Sequence, residues 1–403
     1  MGETTVPPTA GLPLTWGDLL PWGAGDFSQQ LAAWLGVQQV QLECSGTSAL
    51  MVALRALRTL KPGRSEVIAP AYTCPLVALA IAQCGLQLRL CDLRADALDM
   101  EPARLLQLCS DKTLAVLPTH LCGRVADVHA ALQCARAVGA YVIEDAAQAL
   151  GARSNGITVG MQGDVGFFSL AVGKGLSTFE GGVLLVRDAE IRAALQAQGQ
   201  RTKFSWWWEL RRSVELLGYA ALYRPSGLGM AYGKPLAASL ARGDWVEAAG
   251  DDFDDMIPQH RLGRWRQTVG ARALQRLAAF QQQTADQARN RIAQLKACGF
   301  EVVEDARPHV QGVWPVLLLR LPSPQCRDAM LQAHWGDGSG LSLPFVHVLP
   351  DYGRYDHVLA AARQDDVTQA RDWAQRLLAI SNSPWLDDAR FARLLGDLQQ
   401  AMA

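Results

Sequence analysis

GFFSLAVGKGLSTFEGG, Gly166 to Gly182, sets an apolar run, a lysine between glycines and a closing Glu-Gly-Gly side by side. Lys174 is its only cation, with Ser169 five residues before it and Glu180 six after. A solvated surface loop would account for one lysine. The alternative is an amine kept from water for carbonyl chemistry, because the neutral amine is the nucleophile. The small residues around Lys174 leave room for a bulky, flat partner. Gly181 and Gly182 would permit a tight turn into the next strand.

Working outward, short apolar strands alternate with helices. Helices are predicted over Thr47 to Leu60, Pro75 to Cys84, Glu101 to Cys109 and Asp127 to Val138, the last capped by Asp127. Strands are predicted over Glu66 to Ala69, Leu86 to Cys91, Leu114 to Leu117, Ala140 to Ile143, Val165 to Phe168 and Val183 to Val186. This pattern gives an α/β fold with a mostly parallel sheet covered on both faces. Ligands of such sheets bind beyond the carboxyl ends of the strands. His120, Asp145 and Ser169 all fall there, and Ser45-Gly46-Thr47 opens a helix.

An acid, a lysine and a phosphate turn together fit one cofactor. Asp145 follows an apolar strand, where a carboxylate needs a positive partner. A helix cap or salt bridge would serve; so would the protonated ring nitrogen of pyridoxal phosphate, which needs an acid to keep it cationic. Gln148 could reach the ring-hydroxyl side. Lys174 could form the Schiff base, and Ser169 could bond the phosphate. The turn CSGTSALMVAL (Cys44 to Leu54) brings backbone N–H groups at Gly46 and the hydroxyls of Thr47 and Ser48, a phosphate site or a plain helix cap.

The remaining chain sets bounds. With 403 residues, two domains are expected: a large cofactor-binding one over 1–266 and a smaller C-terminal α+β one over 267–403. The second would hold a long helix (Gln267 to Cys298), strands Glu301 to Val303 and Val313 to Leu321, and helices Gln325 to Ala333, Val367 to Ile380 and Asp387 to Met402. Net charge of −1 offers no basic field for nucleic acid. Nine cysteines without a C-x-x-C pair read as buried free thiols of a cytoplasmic protein, with no metal site. The N-terminus shows no secretory pattern. Val67 to Leu88 lacks charge, yet Pro70 and Pro75 break it into strand, helix and strand rather than a membrane span. Between 200 and 256 the chain turns Trp-rich. There Trp207, Leu210, Val214, Leu217 and Ala221 share one helical face. That face would pack on its own domain or a second subunit, or, over 204–223, touch a membrane surface.

SGTSAL, PTHLCGRVADVHAAL, VIEDAAQALGA and FFSLAVGKGLSTFEGG, in this order and spacing, resemble the DegT/DnrJ/EryC1/StrS family of sugar aminotransferases. The resemblance runs over about residues 40 to 190 and resumes weakly at Pro258 to Leu277. It implies the fold type I arrangement of pyridoxal-phosphate enzymes and a homodimer with active sites shared between subunits. It implies transfer of an amino group from glutamate or glutamine to a keto-sugar, in polysaccharide or secondary-metabolite biosynthesis. Lys174 would be the cofactor lysine and proton shuttle, Asp145 the partner of the ring nitrogen and Gln148 the contact to the ring oxygen. Ser169, Gly46, Thr47 and Ser48 would hold the phosphate. His120 matches a family histidine near the active site. Gln259 stands where the family often has an asparagine that reaches the neighbouring subunit's phosphate.

Two departures accompany the resemblance. Where the family often stacks an aromatic on the ring, PAYTCPL places Cys74, so either Cys74 makes a thinner contact or Tyr72 moves in. The Trp-rich stretch is longer than the family pattern. A sugar dehydratase of the same family would carry histidine in place of Lys174, and a non-catalytic cofactor-binding scaffold would bind the cofactor without reacting.

Overall fold

The computed structural model describes residues 5–305 and 307–402. The main sheet holds β1 (Gln41–Glu43), β2 (Glu66–Pro70), β3 (Gln87–Cys91), β4 (Thr113–Val116), β5 (Tyr141–Asp145), β8 (Val165–Ser169) and β9 (Gly182–Val186), in the order β1-β9-β8-β5-β4-β2-β3. β6 (Arg153–Ser154) and β7 (Ile157–Thr158) form a small hairpin joined by β11 (Val310–Gln311). In the main sheet β3, β2, β4, β5 and β8 pair in parallel; β9 alone runs against its neighbours β8 and β1. Central strands such as β2 are buried along their whole length, which is why they read as unbroken apolar runs.

Helices Gly46–Leu60 and Pro75–Gln83 pack on one face of the sheet, through residues such as Leu50, Leu54, Leu79 and Ile81. The other face is covered by helix Phe27–Leu35 and the first half of helix Arg264–Ala297, through Phe27, Leu31, Val269 and Leu277. The second half of that long helix (Ala288, Ile292, Leu295) joins a separate cluster under a four-stranded antiparallel sheet. That sheet is β10 (Glu301–Val302), β12 (Val316–Arg320), β14 (Leu377–Ser381) and β13 (Leu341–Ser342), in that order. Along β12, Leu317 and Leu319 face this cluster while Val316 and Leu318 face the main core, the period of two expected of a strand.

Two sequence-based expectations change. The helix read over Val367 to Ile380 stops at Arg376, and LLAIS is β14, paired to β12 and β13 and fully buried. A short apolar run has no polar face to mark its period, so helix and strand look alike in sequence. Gly181 and Gly182 do not make the turn; Phe179 does, with φ of +65°. Gly182 is needed for a different reason: a Cβ there would stand 2.1 Å from the Ser45 carbonyl oxygen. Val67 to Leu88 is β2, a helix and β3 as read, and among the described residues no helix is long and apolar enough to cross a membrane.

Helix Trp206–Leu222 turns Leu216, Tyr219 and Ala220 inward. Tyr219 and Tyr223 donate their hydroxyls to the carbonyls of Leu12 and Thr9, which ties the helix to the N-terminal strap. The stripe of Trp207, Leu210, Val214 and Leu217 does share one face, and that face is exposed.

Candidate active site

A cavity of about 610 Å³ opens beyond the carboxyl ends of β5 and β8. Of the site residues expected from sequence, Lys174, Asp145, His120, Gly46, Thr47, Cys74, Gln148 and Ser169 all line it. Ser48 and Gln259 do not. Ser48 is wholly buried in the first helical turn, with its N–H given to the Ser45 side chain at 3.0 Å. Gln259 lines a second, cationic groove with Arg55, Arg201 and Lys203, its Oε1 held by Arg55 at 2.7 Å.

One end of the cavity is a cradle for an anion. Ser45 caps helix Gly46–Leu60 and occupies the N–H groups of Ser48 and Ala49. The first-turn N–H groups of Gly46 and Thr47 have no intrahelical acceptor. Gly46 packs against Ser169, and a Cβ at Gly46 would lie 2.9 Å from the Ser169 Cβ. This close approach places the Ser169 hydroxyl beside the helix N-terminus, where the macrodipole favours negative charge.

Asp145 ends β5 on the cavity floor, 5 % exposed. Its Oδ1 accepts the Ala147 N–H at 3.1 Å, and Oδ2 accepts no hydrogen bond among the described residues. Burial raises its pKa, against weaker opposing effects of the Ala147 N–H, His120 and Lys174. Lys174, half-buried between Gly173 and Gly175, each at positive φ, has no hydrogen bond or ion pair at Nζ among the described residues. The Gln148 Oε1 is held by the Cys122 N–H at 2.7 Å, which leaves its amide N–H groups as donors.

His120 touches the cavity, but both ring nitrogens are committed. Nδ1 accepts the Ala126 N–H at 3.0 Å, so Nε2 carries the hydrogen toward Glu144 Oε2 at 3.1 Å. These bonds make His120 a core histidine held in place rather than a group free to transfer a proton. Glu144 points to the opposite face of the sheet from Asp145 and also accepts N–H groups from Gly160, Gln162 and Gly163 at 2.8, 2.6 and 2.6 Å. Burial opposes its ionisation, yet these bonds outweigh that and hold the carboxyl below its usual range.

Of the two candidates for the stacking position, only one lines the cavity. Tyr72 is 1 % exposed, bonds the Phe345 carbonyl at 2.9 Å and does not line the cavity. Cys74 does, its thiol pushed up to about 12 by burial. The sequence reading missed part of the wall, supplied by Trp208, Arg211, Arg212, Tyr232, Asp251, Phe253, Trp335 and Phe345. No motif marks these residues; only the Trp-rich composition drew attention to the segment that supplies several of them. Arg212 there bonds Glu180 at 2.5 Å and Glu215 at 2.7 Å, and Trp208 stacks on His260.

The family model for the DegT/DnrJ/EryC1/StrS aminotransferase family matches residues 23–221. Over those residues the chain belongs to that family. Curated relatives include GDP-perosamine synthase of Caulobacter vibrioides, 33 % identical over 188 residues that make 46 % of this chain and 50 % of that protein. Another is the UDP-N-acetyl-3-dehydro-alpha-D-glucosamine 3-aminotransferase of Acidithiobacillus ferrooxidans, 39 % identical over 40 % of this chain and 43 % of that protein. The chain spans about half the length of these curated relatives. In three dimensions it matches the crystal structure of DesV from S. venezuelae with a TM-score of 0.70 and 22 % identity, over 94 % of this chain and 88 % of that one. The fold is therefore the fold type I transferase arrangement expected from the motifs. The family match ends where the Trp-rich helix ends, so most of the missed wall lies outside it.

Proposed function

We propose that the chain is a pyridoxal-phosphate-dependent aminotransferase that takes an amino group from glutamate or glutamine and gives it to a keto-sugar, nucleotide- or carrier-linked. The reading includes a cytoplasmic homodimer in polysaccharide or secondary-metabolite biosynthesis. The observation that carries it is that Lys174, Asp145 and the Gly46–Ser169 cradle, far apart in sequence, line one cavity, with Lys174 Nζ and Asp145 Oδ2 unpartnered among the described residues.

Those residues fit the cofactor. Lys174 Nζ would tether it, Asp145 Oδ2 would take the ring N–H, and Gln148 would donate to the ring oxygen. Ser169, Thr47 and the first-turn N–H groups would receive the phosphate. When bound, pyridoxal phosphate supplies a reactive aldehyde and a ring that accepts the electrons of a carbanion. A cation at Oδ2 would also relieve the buried charge of Asp145. A free Lys174 Nζ would be the base to remove the donor's α-proton. His120 acts as a positioning residue, orienting the strand end through Glu144. Gln259 faces the second groove, and we place the neighbouring subunit there. The exposed Trp207 stripe adjoins the cavity mouth through Trp208 and Arg211 on the same helix, and we assign it to the second copy rather than to a membrane surface.

Lys174→Ala tests the reading. The expected outcome is loss of the absorbance of the tethered cofactor and a fall in turnover of at least about a thousandfold. Near-parental turnover in that variant would falsify the assignment.

A further inference from the structure

Asp251 is a second carboxylate of the cavity, and nothing in the proposed cofactor chemistry uses it. It is 2 % exposed and stands beyond the family match. Its Oδ2 accepts the Tyr352 hydroxyl at 2.5 Å and the Val346 N–H at 2.9 Å, while its own carbonyl accepts the Tyr355 hydroxyl at 2.7 Å. Three bonds thus fix its orientation. Oδ1 receives no hydrogen bond and no ion pair among the described residues, and the residue lines the cavity. A buried carboxylate without a full set of donors is unfavourable and persists where a ligand completes it.

A second unpaired group lies in the same wall. Trp335 is 2 % exposed, lines the cavity, and its indole N–H has no acceptor among the described residues. Val346, which bonds Asp251, and Ala248, three residues before it, belong to the same apolar cluster as Trp335. The lining therefore holds one unpaired acceptor and one unpaired donor, together with the aromatic rings of Trp335, Phe253 and Phe345. A hydroxyl both donates and accepts, and a sugar ring presents hydroxyls beside apolar C–H faces that suit aromatic surfaces.

We propose that Asp251 and Trp335 form the subsite that binds a hydroxyl group of the sugar acceptor. This rests on the aminotransferase reading and names its substrate side. The amino donor is excluded from this subsite, because the carboxylates of glutamate would face the Asp251 carboxylate at close range.

The test uses the cofactor-loaded protein in the reverse direction, where an amino sugar gives up its amino group. GDP-perosamine and a set of UDP- and dTDP-linked amino sugars are compared with L-glutamate. Asp251→Asn keeps the shape: Tyr352 and Val346 still require an oxygen at Oδ2, so the amide nitrogen takes the cavity side and meets a donor with a donor. Trp335→Phe keeps the ring and removes the N–H. Each variant should raise the amino-sugar concentration for half-maximal conversion about tenfold. The limiting rate and the reaction with glutamate should stay within about twofold. Equal shifts for both substrates, no shift for either, or a parent protein that reacts with glutamate but with no amino sugar of the set would overturn the subsite. A parent protein that does not react with glutamate would instead overturn the aminotransferase reading beneath it.

Discussion

Glu144 and Asp145 are consecutive residues of β5, yet the regions they enter are opposite in kind. Below the strand end, Glu144 meets His120 and three backbone N–H groups, and its polar atoms are closed off by the protein. Above it, Asp145, Lys174 and Asp251 line one cavity, each with an atom unpartnered among the described residues. One carboxyl is held below its usual range and the other above it, although they share a peptide bond. Burial is common to both; the supply of donors separates them. A satisfied buried polar group marks structure, and an unsatisfied one marks a place kept for something else.

The contrast breaks if the two regions respond alike to substitution. Lys174→Ala, in the open region, carries the largest expected effect on turnover and should leave the thermal midpoint of the cofactor-free protein within about 2 °C. Glu144→Gln, in the closed region, should do the reverse. An amide nitrogen there faces N–H donors, and the expected loss is about 3 kcal/mol, read from denaturant unfolding. Its pH dependence has a definite sign. The folded-state pKa of Glu144 lies below the ordinary 4.5, so its contribution is complete above that value and fades as pH falls through the folded value. The glutamine variant should therefore lose less stability than the parent on acidification below the ordinary 4.5. Parallel acid profiles would mean that Glu144 is not the anchor described.

Asp145→Asn sharpens the same comparison with a smaller effect of opposite sign. A buried carboxyl whose pKa is raised weakens the fold as pH rises through its folded value. Without cofactor, the asparagine variant should be more stable at neutral pH by about 1 kcal/mol, while turnover drops by about a hundredfold. A variant that is both less stable and inactive would place Asp145 among the structural residues with Glu144.

The same division explains what was legible in the sequence. The phosphate turn, Asp145, Gln148, Ser169 and Lys174 lie in short segments whose order follows the strands, so chain position nearly fixes spatial position. His120 was also visible, but its role depends on Ala126 and Glu144, and hydrogen-bond partners do not show in a motif. Ser48 was misplaced because the first helical turn aims successive side chains in different directions, and Ser45, Gly46 and Thr47 line the cavity while Ser48 does not. β14 was hidden by its own complete burial. Asp251 and Trp335 were invisible for a topological reason: their loops reach the site from more than 70 residues past Lys174, with no strand end to point the way.

The smallest expected effect lies on the outer face of the Trp-rich helix. Leu210 and Val214 are 50 % and 58 % exposed, and the helix is anchored by its other side through Leu216, Tyr219 and the Glu209–Arg266 ion pair at 2.7 Å. Substituting both by glutamine removes apolar surface that contacts little within this chain. Monomer stability in dilute solution should therefore change by no more than about 0.5 kcal/mol. The same change should lower the sedimentation coefficient at a given concentration, because an apolar stripe of this kind is stable in water when a second surface covers it. If sedimentation is unaltered and vesicle binding falls instead, the stripe serves a bilayer and the second copy docks elsewhere. If unfolding itself becomes markedly easier, the helix belongs with the closed region after all, and its inward contacts are weaker than Tyr219 and Arg266 make them.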